Sequence, residues 1–151
     1  MAAGPDFLGF VYFAATKFAG YTLYCRWGIG PQVEYEATRA DIDPPPLPNV
    51  WKSGGLRTLI GLAMGAVVGL GFWSIPYFAK HDAIAEPLFF GGLVPVRIFE
   101  WWLLLALLYK AFPIRTSKRA TLIAVGILVS FALDAIGILA AFILPGGIWV
   151  C

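Results

Sequence analysis

The chain has 151 residues, of which 60% are hydrophobic and 13% are charged, and its mean hydropathy is +0.78. Soluble domains carry about 25% charged residues, so a chain this apolar cannot cover its surface with polar groups and is expected to face lipid. A net charge of only +2 excludes the broad basic surface that nucleic acids require. We therefore expect an all-α, polytopic integral membrane protein that forms one transmembrane domain over residues 1–151, with membrane lipids as partners.

Four apolar segments are long enough to cross a bilayer as helices, which takes about 20 residues each. They cover residues 7–25, 56–78, 88–109 and 120–144, and together they predict a four-transmembrane-helix bundle. The long connection, residues 26–55, contains the run Pro44-Pro45-Pro46-Leu47-Pro48, which favours extended polyproline geometry. Such a run indicates a stiff spacer or a recognition segment for a proline-binding partner.

Basic residues are concentrated in the first and third connections. The first carries Arg26, Arg39, Lys52 and Arg57, and the third carries Lys110, Arg115, Lys118 and Arg119. The second carries only Lys80, and the two tails carry none. Because cytoplasmic loops of membrane proteins are enriched in Lys and Arg, we expect the first and third connections in the cytoplasm and both termini outside it.

The second predicted span contains glycines at every fourth position: Gly61, Gly65 and Gly69. This spacing places them on one helix face, where the lack of side chains allows another backbone to approach closely. The partner is either a helix of a second copy, which makes the chain a homo-oligomer, or a helix of the same bundle.

Four ionisable residues fall deep inside the predicted spans: Lys17, Arg97, Glu100 and Asp134. Arg57, at the very start of the second span, is counted with the basic residues of the first connection. Each costs about 2.5–3.5 kcal/mol at the centre of a membrane helix, so something must compensate them. Lys17, Glu100 and Asp134 come near mid-membrane, and Arg97 can pair with Glu100 along one helix face. We expect Lys17 to meet Glu100 or Asp134 inside the bundle. The cluster is either a structural network that fixes helix register or a site for a substrate, ion or proton.

Two aromatic residues accompany these charges as candidate binding residues. Tyr21 lies one helical turn beyond Lys17 on the same stripe. Trp101 and Trp102 follow Glu100 and lie too deep for the interfacial aromatic belt of a membrane protein. Because consecutive residues point to different faces of a helix, at least one of these tryptophans is expected to pack inside the protein or to line a cavity.

The sequence contains none of the spacings typical of phosphate-binding loops, zinc proteases or serine hydrolases. Its two cysteines, Cys25 and Cys151, are far apart, and its single histidine, His81, cannot supply a His-rich metal site. We therefore expect no metal and no cofactor. The sequence does not identify catalytic residues.

Three functions are compatible with these observations. The first is a small membrane transporter or channel-like protein with a charged centre built by Lys17, Arg97, Glu100 and Asp134. The second is a membrane enzyme acting on a lipid or lipophilic substrate; an aspartyl-type hydrolase would need Glu100 and Asp134 close together and reachable by water. The third is a non-catalytic subunit of a larger membrane complex.

Overall fold

The computed structural model describes residues 7–41, 43, 46–73, 82–109 and 116–141. The regular elements of these residues are all helical, which confirms the predicted all-α class. In chain order they are α1 (Phe7–Tyr24), a π-helical turn (Cys25–Ile29), α2 (Gly30–Arg39), α3 (Val50–Trp73), α4 (Asp82–Leu108) and α5 (Thr116–Ala141). Since α1, the π turn and α2 follow one another without a break, the described residues form four long helical rods.

The first rod is longer than the sequence predicted, because residues 26–39 continue the helix instead of belonging to the connection. Pro31 explains the π turn. A proline in the interior of an α-helix has no N–H to donate, and its ring collides with the carbonyl group four residues earlier. A wider turn relieves this conflict: the N–H of Gly30 donates to the carbonyl oxygen of Cys25, five residues back.

The connection between the first two rods is correspondingly short, because α3 begins at Val50 and not at the predicted residue 56. Asn49 accounts for this early start. Its side-chain oxygen Oδ1 accepts a hydrogen bond of 2.9 Å from the backbone N–H of Trp51, which otherwise has no partner in the first helical turn. Pro44 and Pro45 lie outside the described residues, so polyproline geometry stays a prediction.

A stripe of buried residues runs along the whole first rod at every fourth position. It consists of Phe13, Lys17, Tyr21, Cys25, Ile29, Val33 and Ala37. In a regular α-helix such a stripe drifts around the axis by about 40° with each step. The π turn winds more slowly and reverses part of that drift, so both ends of the rod keep the stripe against the protein interior.

The four rods pack as a ring in which α1 and α4 each contact both α3 and α5. Glycines mark the close approaches. A Cβ atom on Gly54 of α3 would lie 3.0 Å from the Cα of Thr22 in α1. On Gly126 of α5 it would lie 2.6 Å from the indole ring of Trp101 in α4. The interior of the ring is therefore narrow.

Two of the helices are long and apolar enough to be possible membrane spans, over Gly91–Leu108 in α4 and Lys118–Ala140 in α5. Both helices begin earlier than the predicted spans, at Asp82 and Thr116. The predicted span ends at 74–78 and 142–144 lie outside the described residues.

Candidate functional site: a buried network of five charges

Five charged side chains from four helices meet in the interior of the bundle. Lys17 comes from α1, Arg57 from α3, Arg97 and Glu100 from α4, and Asp134 from α5. The most exposed of them, Asp134, has only 4% of its surface accessible. Each helix of the ring thus contributes at least one charge to the same buried place.

The five residues form a chain of ion pairs in which the sign alternates. At one end the ammonium Nζ of Lys17 lies 2.6 Å from Oδ1 of Asp134. Oδ2 of Asp134 accepts a hydrogen bond of 2.9 Å from Nη2 of Arg97, whose Nη1 donates to Oε2 of Glu100 at 3.1 Å. The same Oε2 atom accepts a hydrogen bond of 2.6 Å from Nη2 of Arg57 at the other end.

The pairing predicted from the sequence is confirmed in its main parts. Lys17 meets Asp134, and Arg97 pairs with Glu100 three residues later on the same helix. Arg97 also bridges the two carboxylates, which therefore contact a guanidinium group between them. An aspartyl-type hydrolase instead needs two carboxyl groups that share a proton, so this geometry gives that alternative no support.

Arg57 is not part of the predicted cluster, because it lies at the very start of the second predicted span and is counted with the basic first connection. The side chain is fully buried, since α3 begins at Val50 and Arg57 therefore lies well inside the helix. A signal for this position exists in the sequence. Ser53, Arg57 and Gly61 recur at every fourth residue, and this small and polar stripe extends the glycine pattern toward the helix start.

Aromatic rings and a hydroxyl group enclose the Arg57 guanidinium. Its central carbon Cζ lies 4.6 Å from the ring centre of Tyr21 and 4.7 Å from that of Trp101, which are cation–π distances. Nη2 of Arg57 donates to Oγ of Ser130 at 3.4 Å, and the indole Nε1 of Trp101 donates to the same oxygen at 3.1 Å. The Ser130 hydroxyl in turn donates to the carbonyl oxygen of Gly126 at 2.9 Å. Tyr21 and Trp101 thus contact the network through the guanidinium group of Arg57.

The two consecutive tryptophans differ in burial, as predicted. Trp101 is 1% exposed and packs edge-to-face on Tyr21 at a distance of 5.6 Å between ring centres. Trp102 is 47% exposed. The prediction that at least one of them packs inside the protein is confirmed.

The glycine stripe of α3 begins at the charge network. A Cβ atom on Gly61 would lie 3.1 Å from Nη1 of Arg57 and 4.0 Å from Nη1 of Arg97. Gly61 therefore lets α3 approach charged side chains of the same chain. Gly65 is half-buried, and Gly69 lies further along the same helix. A role of the stripe in forming a homo-oligomer stays a prediction.

Two cavities lie along the described helices. One, of about 440 Å³, is an apolar groove between α1 and α3 whose walls include Phe10, Phe18 and Leu59. The other, of about 230 Å³, lies between the first rod and α5, beside Tyr24 and Lys118. None of the five charges lines either cavity.

The fold and the site together define an all-α bundle of four rods around a buried chain of ion pairs. Comparison with the models of known protein families finds no match, and neither the curated proteins nor the solved structures yield one. The functional argument therefore depends on the geometry alone.

Proposed function

We propose that the chain is an integral membrane protein in which all four rods cross the bilayer. The two candidate spans in α4 and α5 support this, because only 33% of each is buried within the bundle. A core helix of a soluble protein buries most of its residues. Leu128 and Leu139 of α5 and Leu59 and Leu70 of α3 expose between 64% and 72% of their surface. Apolar side chains exposed along several helices are suited to contact with lipid.

The less apolar helices, α1 and α3, fit the same arrangement. Their polarity comes in part from Lys17 and Arg57, and both of these charges are buried inside the ring. Ionisable residues of membrane helices almost always face the bundle interior, where they pair with one another. Because these two charges are buried, they do not prevent α1 and α3 from spanning a membrane.

Within this arrangement, we propose a small transporter or channel-like protein for a charged solute. The observation that carries this proposal is the convergence of the network: five charged side chains, drawn from all four rods, meet at one buried place. Burying so many charges is costly in a medium of low dielectric constant, and a single ion pair would be enough to fix the register of two helices. A cluster of cations and anions inside the bundle is suited to binding a charged solute.

The near-complete burial of the five charges favours a second candidate, a non-catalytic subunit of a larger membrane complex. In that case the ion pairs only fix the register of the four rods, and exposed apolar faces contact partner subunits. The two functions predict different results for a variant that lacks charges of the network but still folds.

The test is solute uptake by proteoliposomes that contain the purified protein. The substrates are a panel of labelled small anions, cations and zwitterions, and the variants are Glu100→Gln and the double variant Arg57→Gln with Glu100→Gln. The double variant removes one charge of each sign, so it keeps the net charge of the network. Glu34→Gln, which removes an exposed carboxylate of α2, is the matched control.

For a transporter we expect uptake by the wild type and by the control, and its loss in the double variant although that variant unfolds at a similar detergent concentration. For a structural subunit neither the wild type nor any variant takes up solute, and the double variant unfolds at a lower detergent concentration because ion pairs that fix the register of the rods are lost. Absence of uptake of every solute by the folded wild type would contradict the transport proposal outright.

Orientation and assembly complete the proposal. Both termini lie outside the cytoplasm, because the exposed basic residues of the described segments cluster at one end of the bundle, at Arg26, Arg39, Lys52, Lys118 and Arg119. Lys80, Lys110 and Arg115 lie outside the described residues. Self-association through the α3 glycine stripe is tested by measuring the mass of the protein–detergent complex.

A further inference from the structure

We propose that the cavity between the first rod and α5 binds an anionic phospholipid at the cytoplasmic end of the bundle. This inference rests on the proposed function, because it requires that the rods cross a bilayer and that α5 begins on the cytoplasmic side. It depends on the lining of the cavity, which is polar at one end and apolar at the other.

Two helix stripes that face each other form the cavity. The stripe of the first rod recurs at every fourth residue and consists of Tyr24, Gly28 and Gln32. The stripe of α5 has the spacing of one helix face and consists of Lys118, Thr121, Leu122 and Val125. The cavity therefore runs along both helices, and its two ends lie at different depths in the bundle.

The first rod and α5 run antiparallel beside this cavity. Lys17 pairs with Asp134, whereas Tyr24, two turns later in the first rod, donates to the backbone carbonyl oxygen of Leu122, three turns earlier in α5. The second half of the first rod thus lies beside the start of α5. This is the end of the bundle that is proposed to be cytoplasmic.

The cytoplasmic end of the cavity is suited to a phosphate group. Gln32 and Lys118 lie there with exposed side chains and supply an amide and an ammonium donor. Lys118 is also the first residue of the candidate span in α5, which places it at headgroup level. Glu36, one turn beyond Gln32, does not line the cavity, and neither does any other carboxylate of the described residues. Basic pockets between membrane helices on the cytoplasmic side bind anionic headgroups.

The deeper end of the cavity is suited to the start of an acyl chain. Leu122 and Val125 line it together with the ring of Tyr24, whose hydroxyl group already donates to the carbonyl oxygen of Leu122 at 2.7 Å. A Cβ atom on Gly28 would lie 2.5 Å from that ring, so glycine leaves the room that the ring occupies.

The size of the cavity indicates which part of a lipid it holds. Its volume of about 230 Å³ is below that of pockets that enclose a drug-sized ligand. It can therefore hold a headgroup phosphate and the first part of a chain, while the rest of the lipid stays in the bilayer.

The experiment titrates the purified protein in uncharged detergent with phosphatidylglycerol or with phosphatidylcholine of the same acyl chains, and native mass spectrometry counts the bound lipids. We expect one phosphatidylglycerol to bind more tightly than phosphatidylcholine. Lys118→Gln is expected to weaken phosphatidylglycerol binding by about fivefold, which corresponds to about 1 kcal/mol for one basic residue at the membrane surface. Arg119→Gln is the matched control, because it removes an exposed cation of the same helix that does not line the cavity.

A second pair of variants tests the apolar end. Val125→Phe fills this end without a change of charge, and Val125 is 40% exposed, so the larger side chain needs no repacking of the core. It is expected to weaken phosphatidylglycerol binding by about fourfold for each methylene group that it excludes. Leu139→Phe enlarges an exposed side chain of the same helix outside the cavity and should bind lipid like the wild type.

Equal weakening by Lys118→Gln and Arg119→Gln would overturn the proposal, because it indicates diffuse attraction to a basic surface. Unchanged affinity of Val125→Phe would overturn it too. So would displacement of the lipid by an excess of inorganic phosphate, since a soluble anion would then be sufficient.

The result is separable from the proposed function. A chain that stays in the membrane fraction but binds both lipids equally refutes the site and leaves the membrane arrangement intact. A chain that is soluble without detergent refutes the membrane arrangement and the lipid site together. Phosphatidylglycerol binding that depends on Lys118 and Val125, without uptake of any solute, establishes the site and refutes transport.

Discussion

At the scale of single residues, the stability of this protein depends on the ion pairs of one buried network. Each carboxylate accepts from two cations, whereas Lys17 and Arg57 stand at the two ends of the chain of ion pairs. Removing an end and removing a middle residue therefore have different consequences. The loss of an end cation leaves its carboxylate paired with Arg97, while the loss of a middle carboxylate leaves two cations facing each other.

We expect Asp134→Asn to be much more destabilising than Lys17→Met. The first change leaves Lys17 and Arg97 without their shared anion, at a cost of about 3–5 kcal/mol. The second leaves Asp134 paired with Arg97, so we expect a cost of about 1 kcal/mol. Unfolding of both variants in sodium dodecyl sulfate measures the difference. Equal costs would show that Arg97 does not compensate the charge of Asp134 when Lys17 is removed.

The sequence was informative about four of the five charged residues because ionisable side chains stand out in apolar segments. It could not rank the pairings, since Lys17 had two acceptable partners until the ring order of the helices was known. Arg57 escaped detection for a physical reason: an arginine near a helix start resembles the basic flank of a membrane span. The cap at Asn49 starts α3 at Val50, so that Arg57 lies well inside the helix and not at its start.

The helices approach one another most closely at points where a glycine leaves no side chain between two rods. Gly54 and Gly55 of α3 are consecutive but differ in their surroundings. A Cβ atom on Gly54 would meet the backbone of Thr22 at 3.0 Å, while one on Gly55 would touch only the ring of Phe18, at 3.6 Å. The first contact involves rigid backbone, and the second is an ordinary van der Waals contact.

We expect Gly54→Ala to destabilise the bundle by about 1–3 kcal/mol, because α1 and α3 must move apart to admit the methyl group. Gly55→Ala should be neutral or stabilising by up to about 1 kcal/mol, owing to the better helix propensity of alanine. Detergent unfolding of the two variants side by side checks this. Similar values for both would mean that the crossing at Thr22 is not tight.

The elements themselves were largely predictable, because apolar length alone identifies four helices. Their ends were not. The extension of the first rod to Arg39 depends on how Pro31 is accommodated by a π turn, and the start of α3 depends on a single side-chain cap. Hydropathy carries no information on either feature.

For the whole molecule, the proposed orientation makes a labelling prediction. Glu34→Cys and Lys118→Cys are introduced one at a time into a background with Cys25→Ala and Cys151→Ser. Glu34 and Lys118 are exposed, and both lie in the segments proposed to be cytoplasmic. A membrane-impermeant maleimide should label them only after the cells are permeabilised, whereas a tag at the N-terminus should be accessible in intact cells. Labelling of both cysteines in intact cells would show that the orientation is the reverse of the proposed one.

The π turn has a consequence for how the chain tolerates insertions and deletions. A π turn is an α-helix with one residue added, so the loss of one residue between Cys25 and Ile29 restores regular winding and leaves Val33 and Ala37 on their buried side. The same loss brings the ring of Pro31 back against the carbonyl group four residues earlier, so it is tolerated only when Pro31 is replaced as well. The gain of one residue instead turns Val33 and Ala37 about 100° away from the interior. A shorter first rod therefore requires a second change at Pro31, whereas a longer one loses its buried stripe whatever residue stands there.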